Sequence, residues 1–362
     1  MIIGMLFISS CTSTKNADNT DTELDEQSTD YNAIFESVML QDDENYEMKR
    51  ITNEGEIIQV LNDDRILLNK ESNLVIYNIT EDKETILVED MWNPIISADK
   101  TTIAYENSEG IQIFNIEDKT SKLVYELKDN EISRNFIISS NNKTMLLQTI
   151  EEDKFHTMIL DLKGNAKEVA LQENDNFIIT NLVYYTGNKL FATAEIKKEK
   201  DDVEEEELIK TTDIVMINTS NKKMTNITNM APEDQSYFLD LFDNKILIEI
   251  IENTVNEDGI TTENAIKTIN TSSGELSSTN IQVENSTVLK LLSNEKEYVW
   301  LEEPEERDSK FTEKKEIKLT QNSATPKIIG TIYSDVPSSI FVEDNNIVFK
   351  SNGDIYIINI SN

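Results

Sequence analysis

Short apolar runs alternate with polar turns along most of this chain, and after Tyr46 no segment keeps the 3.6-residue spacing that marks an amphipathic helix. From Glu47 onward the runs are rich in Ile, Val, Leu and Tyr, which favour strands. Many of them end in the same four-residue pattern, which is two apolar residues followed by Asn or Asp and then Ile, Leu or Thr. Its copies are Ile76–Ile79, Ile113–Ile116, Ile159–Leu162, Met216–Thr219, Thr268–Thr271, the degenerate Ile317–Thr320, and Ile357–Ile360. The pattern predicts an all-β repeat protein.

A second signal, a polar turn rich in Asn, Asp, Gly and Lys, falls between the first and second strand of each repeat. Asn, Asp and Gly tolerate the positive φ that tight hairpins require. The turns are Asp63–Arg65, Ala98–Lys100, Asn141–Lys143, Gly187–Lys189, Asp243–Lys245, Asn294–Lys296 and Asp344–Asn346. They recur roughly every 35 to 56 residues, which brackets the period of four-stranded propeller blades.

The two signals together predict a seven-bladed β-propeller of four-stranded blades, with six or eight blades as the nearest alternatives. The final repeat supplies three strands, and the segment Glu47–Thr52 resembles a spare fourth strand. We therefore expect this N-terminal strand to complete the C-terminal blade, which closes the ring without an exposed edge.

One repeat carries a family resemblance. Pro94–Tyr105, with its Ser-Ala-Asp-Lys turn and Ile-Ala-Tyr strand, is followed by Gly110 and the apolar strand Ile111–Ile116. This segment resembles the repeat of TolB-like propellers. The match is good in one repeat, partial in two or three, and faint in the rest. The resemblance implies a propeller outside the cytoplasm, often a protein-binding one.

The N-terminus resembles the signal of bacterial lipoproteins. An apolar run, Met1–Ile8, leads through two serines into Cys11, the one cysteine of the chain. The resemblance implies that Cys11 is lipidated and becomes the mature N-terminus. The run is shorter than a usual signal and no Lys or Arg precedes it, so we expect the true start to lie upstream.

Domain organisation follows from these features. We expect residues 1–11 to be the lipoprotein signal, residues 12–45 a disordered acidic tether, and residues 46–362 the propeller. Within the tether, Ile34–Leu40 is apolar and predicts a short helix or a strap along the folded body. Apart from the N-terminal run, no stretch approaches the ~20 apolar residues that span a bilayer, so the membrane is reached through the lipid alone.

The charge of the chain limits its partners. With 69 acidic and 33 basic residues, the formal net charge is −36. Such a protein repels the phosphate backbone of nucleic acids, so nucleic acid is not an expected partner. The acidity favours solubility and self-repulsion of the surface. We expect no cofactor and no dedicated metal site, because the chain has one histidine, His156, and one cysteine.

Three insertions between second and third strands, Lys197–Lys210, Asn253–Glu263 and Glu302–Lys315, are expected on one rim of adjacent blades. Acidic residues concentrate in two of them, and they predict either a solvated hairpin tip or a clamp for a basic protein segment. The candidate partner-binding residues are Asp201, Asp202, Glu204, Glu205, Glu206, Glu207, Glu302, Glu303, Glu305 and Glu306.

The motifs of common enzymes are missing. There is no Gly-x-Ser-x-Gly elbow, no phosphate-binding glycine loop and no zinc-ligand spacing in the sequence. We expect His156 to be an ordinary surface residue, and Trp92 and Trp300 to pack between blades rather than to hold a ligand. On these grounds the chain is predicted not to be an enzyme.

The sequence therefore predicts a lipid-anchored, extracytoplasmic lipoprotein of the bacterial cell envelope that binds or scaffolds a protein or envelope component through an acidic, loop-rich face. The first alternative is a glycan or small-ligand sensor that uses the central channel, where the first strands converge. The second alternative is a lyase or hydrolase sited in that channel, which is less favoured because first strands such as Phe136–Ser139 and Tyr237–Phe242 offer few convergent polar side chains. The partner and the oligomeric state stay open.

Overall fold

The computed structural model describes residues 38–40, 46–152, 154–169, 177–199, 208–231, 234–242, 244–256, 259–281, 283, 286–294, 297–302, 314–320, 325–333, 337, 339–343 and 345–360. Within these residues every regular element is a β-strand, and the strands form six sheets. None of the described residues belongs to a helix that is long and apolar enough to cross a membrane.

The first two strands, β1 (Val38–Leu40) and β2 (Glu47–Thr52), join sheets that the far end of the chain completes. The next three sheets are antiparallel meanders of four strands each. Their strands are β3 (Glu56–Asn62), β4 (Arg65–Lys70), β5 (Asn73–Asn78), β6 (Lys83–Val88); β7 (Trp92–Ile96), β8 (Thr102–Asn107), β9 (Gly110–Asn115), β10 (Thr120–Tyr125); and β11 (Glu131–Ile138), β12 (Thr144–Glu151), β13 (Lys154–Asp161), β14 (Ala166–Glu168).

The following eight strands are joined into one sheet. They are β15 (Phe177–Thr186), β16 (Lys189–Glu199), β17 (Leu208–Asn218), β18 (Met224–Asn226), β19 (Gln235–Phe242), β20 (Lys245–Asn256), β21 (Gly259–Asn270) and β22 (Leu276–Ser278). The link between its two halves is one parallel pair, Thr212 with Gln235. Each half is again a four-stranded antiparallel unit.

Two further sheets finish the fold, and each takes in a strand from the N-terminal side. Strands β23 (Ser286–Asn294), β24 (Glu297–Glu302), β25 (Lys315–Thr320) and β26 (Lys327–Ile332) accept β1 beside β26. Strands β27 (Ile340–Glu343), β28 (Asn346–Ser351) and β29 (Asp354–Asn359) accept β2 beside β29.

The sheets are arranged in a ring. The first strands of successive units, β3, β7, β11 and β15, lie side by side, as do β19, β23 and β27, and β27 lies against β3. We call these the inner strands. We call the end of the ring at which each second strand leads to its third strand the upper face. A closed circle of inner strands with sheets radiating from it is the architecture of a propeller.

The ring closes as the sequence predicts. Strand β2 pairs antiparallel with β29 from Glu47 opposite Asn359 to Thr52 opposite Asp354. Arg50 donates from Nε to Asp354 Oδ2 at 2.7 Å, which adds an ion pair to the seam. Ile51 is 6% exposed and packs in a cluster that also contains Val348 and Ile66.

The hydrophobic core lies between the sheets. Central strand positions are buried on both faces of a sheet, as in β8, where Thr102 to Tyr105 are all buried. Clusters join each unit to the next, for example Phe136 of β11 with Ile113 of β9, and Leu146 of β12 with Leu190 of β16. Because each sheet is covered on both sides, its strands read as continuous apolar runs with weak alternation.

The predicted turn chemistry is present in the structure. Lys100, Asn142 and Gly187 all have positive φ, between 53° and 59°. In the turn after β7, the Ser97 hydroxyl donates to Asp99 Oδ1 at 2.7 Å, and the backbone N–H of Thr101 donates to the same oxygen. These polar caps fix the hairpins that reverse each inner strand.

One short strand lies in the range predicted as tether. Residues 38–40 form β1, in which Val38 is fully buried against the sheet of β23 to β26. Gly330 makes this approach possible, since a Cβ there would lie 3.0 Å from the backbone oxygen of Met39. The strap predicted for this apolar segment is therefore a paired strand, and the rest of residues 12–45 lies outside the described residues.

Candidate functional site

Six of the inner strands are interrupted by β-bulges. The pairing register skips, among others, Ile58 in β3, Asn93 and Pro94 in β7, Arg134 in β11, Thr180 in β15, Leu239 in β19 and Thr287 in β23. A bulge leaves one residue out of the ladder and changes the direction of its side chain. Of these bulge residues, Arg134 is the charged one.

A pocket of about 360 Å³ lies along three successive inner strands, around the Arg134 bulge. We call it the mouth pocket. Its polar lining residues are one arginine and three asparagines, and the other lining residues are apolar. The lining residues are Asn93, Ile95 and Ile96 from β7, Arg134, Asn135, Phe136 and Ile137 from β11, and Asn181 and Leu182 from β15. A mainly apolar concavity with a few convergent polar groups is typical of a small-molecule site.

Arg134 is half-buried, and its contacts fix the plane of its guanidinium. Its Nη2 donates to the backbone oxygen of Ile179 on the neighbouring inner strand. Its Cζ lies 4.7 Å from the centre of the Phe155 ring, a cation–π contact. Both contacts restrict the side chain.

Other polar contacts order the same region. Asn93 Nδ2 lies 3.5 Å from Glu106 Oε2, and the Ser133 hydroxyl donates to the same carboxylate oxygen. Asn135 Nδ2 lies 3.5 Å from Gln148 Oε1. Glu106 thus links β7 to β11 on both sides of the pocket.

Exposed apolar side chains lie beside the mouth pocket on the upper face. Trp92 is 46% exposed, Ile132 is 67% exposed and Phe155 is 43% exposed. Trp92 precedes the lining residue Asn93, Ile132 lies two positions before Arg134, and Phe155 stacks on Arg134. We call these three residues the apolar shelf. Clustered exposed apolar groups are typical of a surface that contacts a ligand or partner.

Most of the site residues predicted from the sequence lie outside the residues that the structure describes. Cys11, Asp201, Asp202, Glu204 to Glu207, Glu303, Glu305 and Glu306 all belong to residues that the structure does not describe. Glu302 is described at the end of β24, where it accepts a hydrogen bond from Trp300 Nε1 at 2.7 Å and pairs with Lys318. Its two oxygens are thus engaged within its own sheet.

The predicted insertions are in part extended hairpins. Strands β16 and β17 stay paired from Lys197 opposite Lys210 to Glu199 opposite Leu208. Strands β20 and β21 stay paired to Asn256 opposite Gly259. The insertion between β24 and β25 begins after Glu302. All three leave the ring at the upper face, so the common rim follows from the strand order.

The two tryptophans differ in environment. Trp300 is 2% exposed in the core, as expected for a residue that packs between sheets. The same expectation is wrong for Trp92, which begins β7 with nearly half of its surface exposed. His156 is the third residue of β13, with Nδ1 at 3.2 Å from Glu168 Oε1.

Buried acidic groups elsewhere hold the sheets together. Glu131 is 7% exposed and accepts hydrogen bonds from the Tyr125 hydroxyl and the Thr149 hydroxyl, and burial beside this carboxylate raises the pKa of Tyr125. Asp213 is fully buried and accepts from Thr228 Oγ1 at 3.0 Å and from the N–H of Met230 at 2.7 Å. These carboxylates tie a sheet to the strand that follows it, a structural role.

Sequence reasoning missed the mouth pocket because it placed the start of one inner strand too late. It took the strand as Phe136–Ser139 and found few polar side chains in it, whereas β11 begins at Glu131. The omitted residues include Ser133, Arg134 and Asn135. A bulge breaks the alternation of apolar and polar positions, and the polar run beside it therefore resembles a loop.

Comparisons with known proteins bear on the fold. No family model matches the chain, and no curated protein matches its sequence, so membership of the TolB-like family stays a prediction. Solved structures do resemble it. An oligogalacturonate lyase in complex with manganese aligns with a TM-score of 0.60 and 12% identity, over 89% of this chain and 92% of that one.

Two other structures extend the comparison. An oligogalacturonate lyase from Vibrio parahaemolyticus aligns with a TM-score of 0.60 and 10% identity, over 89% of this chain and 96% of that one. The tricorn protease aligns with a TM-score of 0.52 and 11% identity, over 88% of this chain and 34% of that one. At these identities the likeness shows the fold alone, a β-propeller.

The lining of the mouth pocket is poorly suited to a manganese ion. Divalent manganese prefers carboxylate, carbonyl and water ligands, whereas the lining residues include no carboxylate and do include the cationic Arg134. Among the described residues, no group of three or more His, Cys, Asp or Glu side chains is close enough to hold a metal ion.

The comparisons correct one prediction. The sequence analysis concluded that the chain is not an enzyme because familiar catalytic motifs are missing. That conclusion is wrong, because lyases and a protease are among the structures that resemble this chain. The absence of familiar motifs therefore does not decide whether the chain is an enzyme. What the comparisons establish is the fold, an all-β propeller.

Proposed function

We propose that this chain is an extracytoplasmic, lipid-anchored propeller that binds an oligosaccharide at the mouth pocket. One observation carries the proposal: the bulged inner strands bring Asn93, Arg134 and Asn181 together around a pocket of about 360 Å³. Carboxamides and a guanidinium hydrogen-bond to hydroxyl groups, and the aromatic rings of the apolar shelf suit the C–H faces of sugar rings.

The size of the pocket supports an oligomer with one unit inside. About 360 Å³ is at the low end of the range for ligand sites. A longer ligand therefore extends onto the upper face, where Trp92 and Phe155 are exposed. This arrangement corresponds to the channel ligand that the sequence analysis held as an alternative.

The ring has seven blades in this proposal. Dividing the eight-stranded sheet at its single Thr212 to Gln235 pair gives two four-stranded units, which join the five other sheets to make seven. The hydrophobic clusters also number seven among the described residues, and each lies between successive units.

Localisation is proposed from the sequence around Cys11. A lipid on this cysteine would hold the propeller at the cell envelope, with the tether as a spacer. Replacing Cys11 by Ala should release the protein from the membrane fraction into the soluble fraction. Continued membrane association of that variant would count against the anchor.

Ligand binding is tested with the full chain carrying Cys11→Ala, so that it stays in solution. A panel of neutral and charged oligosaccharides of three units is titrated by calorimetry against this protein and against its Asn181→Ala variant. We expect at least one oligosaccharide to bind, and the substitution at Asn181 to weaken it. A panel in which nothing binds at millimolar concentration would refute the proposal.

A second candidate function is the capture of a basic protein segment at the upper rim. The observation in its favour is the length of the hairpins β16–β17 and β20–β21, whose strands have 11 or 12 residues where many others have six. The first of them leads into the acidic run at 201–207. A pulldown from solubilised envelope that depends on residues 197–210 would support this function, and capture that survives their trimming would refute it.

A further inference from the structure

We infer that the ligand of the mouth pocket is an uncharged oligosaccharide of acetamido sugars, in which an N-acetyl group replaces one hydroxyl group of each unit. One acetamido group lies in the pocket, and the adjoining sugar unit lies on the apolar shelf. The inference rests on the proposed function, because it names the chemical class of the ligand at that same site. It adds a requirement for an amide and a methyl group, which binding of a saccharide does not itself demand.

Isoleucines give the mouth pocket an apolar floor. Ile95 and Ile96 line the pocket from β7 and Ile137 lines it from β11, and all three are half-buried. A sugar hydroxyl placed against these side chains would lose its hydrogen bonds to water without gaining others. A methyl group placed there would leave water favourably. The floor therefore favours a sugar that carries an apolar substituent.

Three asparagines supply hydrogen-bonding groups beside this floor. Asn181 is exposed, and its carboxamide has no hydrogen-bond partner among the described residues. Asn93 lies 3.5 Å from Glu106, and Asn135 lies 3.5 Å from Gln148, which is longer than the usual N–H to oxygen hydrogen bond. A carboxamide both donates and accepts hydrogen bonds. An acetamido group offers the matching N–H and C=O, with its methyl group beside them.

The backbone at Asn93 is held in an uncommon conformation at this site. Its φ is 49°, and among the described residues it is the one non-glycine residue with a positive φ inside a strand. The others lie in turns and loops. Residues in such conformations persist where the surrounding structure holds them, and they concentrate at functional sites. The pairing register skips Asn93, and its side chain lines the pocket.

Electrostatics favour a ligand without charge. The formal net charge of −36 disfavours anions in general. Arg134 is the charged residue of the lining, and its guanidinium is engaged with the backbone oxygen of Ile179 and with the Phe155 ring. We therefore assign the contacts that distinguish one ligand from another to the asparagines and isoleucines. A protonated amino sugar would be attracted by the net charge, but its ammonium group would lose hydration against the isoleucines.

The apolar shelf sets the length of the ligand. A pocket of about 360 Å³ holds one sugar unit, and Trp92, which precedes the lining residue Asn93, is 46% exposed. A sugar ring that stacks on Trp92 therefore belongs to a second unit. This contact uses the C–H face of the ring, which sugars with and without an acetamido group share. It contributes affinity and leaves the preference between them to the pocket.

The test compares two trisaccharides with the same β-linked glucose backbone. Triacetylchitotriose carries an acetamido group on the second carbon of each unit, where cellotriose carries a hydroxyl group. Both are titrated by calorimetry into the full chain, carried as Cys11→Ala. We expect triacetylchitotriose to bind about 10- to 50-fold more tightly, from one buried methyl group and one net hydrogen bond. Chitotriose, the cationic form without acetyl groups, should bind more weakly than triacetylchitotriose at about 0.15 M salt, where long-range attraction is screened.

Ile95→Thr tests the apolar floor, because threonine keeps the branched shape and replaces apolar surface by a hydroxyl group. It should weaken triacetylchitotriose about fourfold, the contribution of one buried methyl group, and leave cellotriose unchanged. Ile57→Thr is the matched control. Ile57 is also a half-buried isoleucine of an inner strand, β3, and it is not among the lining residues. Its replacement should change neither affinity.

The outcomes separate the inference from the proposed function. Cellotriose or chitotriose binding as tightly as triacetylchitotriose would overturn the inference while the proposed function stood, and so would a panel with ligands among which triacetylchitotriose is missing. Equal weakening of both trisaccharides by Ile95→Thr would also overturn it. Failure of the whole oligosaccharide panel would overturn both. The comparison of the two trisaccharides needs no variant, so it decides even if Ile95→Thr does not fold.

Discussion

The seam that closes the ring can be tested with one side chain. Ile51 is the buried apolar residue of β2, 6% exposed, in a cluster that joins the last sheet to the first. Replacing a buried Ile by Ala costs about 2–5 kcal/mol, since the methyl groups are lost and a cavity is left. We expect Ile51→Ala to lower the free energy of unfolding by about 3 kcal/mol.

The matched control is Ile86→Ala. Ile86 is also on a strand, the outermost strand β6, but it is 55% exposed. Its replacement should change stability by about 0.5 kcal/mol or less. Urea unfolding of both variants, followed by the fluorescence of the buried Trp300, measures the difference. If Ile51→Ala is no more destabilising than Ile86→Ala, β2 is not part of the folded ring and the closure is wrong.

Two other predictions concern backbone space and pH. Gly110 has a φ of 129°, and a Cβ there would lie 2.2 Å from the backbone oxygen of Tyr125. Gly110→Ala should therefore lower the unfolding temperature by far more than Gly187→Ala, where φ is also positive but no atom lies within 4 Å; similar losses would contradict the backbone clash. Burial raises the pKa of Glu249, so the folded state holds the proton of this carboxyl more tightly than the unfolded state does. The free energy of unfolding therefore falls as pH rises through the raised pKa. Glu249→Gln, which can still accept the hydrogen bond from Asn264, should raise the unfolding temperature at pH 7 and leave it unchanged at pH 3; an equal change at both would refute the assignment.

The sheets and their order could be predicted from the chain because their signals are local. The repeated four-residue pattern marks the ends of third strands. The turns rich in Asn and Asp mark the hairpins between first and second strands, as Asn142 and its neighbours show. Closure by β2 followed from counting strands in the first and last repeats. These features depend on residues close together in sequence, or on the requirement that no sheet edge stays open.

The mouth pocket could not be predicted in the same way. Its polar residues come from three different sheets, and the bulge at Arg134 hides the strand that carries them. Nothing in the sequence near Trp92 distinguishes an exposed tryptophan from a buried one, because its exposure depends on the neighbouring sheet. The acidic residues of the insertions, by contrast, are obvious in the sequence, but most of them lie outside the described residues.

The closing seam also has a consequence for biogenesis. Arg50 and Asp354 meet across 304 positions of sequence, and the length-dependent entropy of closing such a loop is about 5 kcal/mol. Strand β2, which is synthesised early, must therefore wait for the last strand, β29, before it can pair. During that delay, the charged side chains of Glu47, Lys49 and Arg50 discourage β2 from pairing with a neighbouring chain.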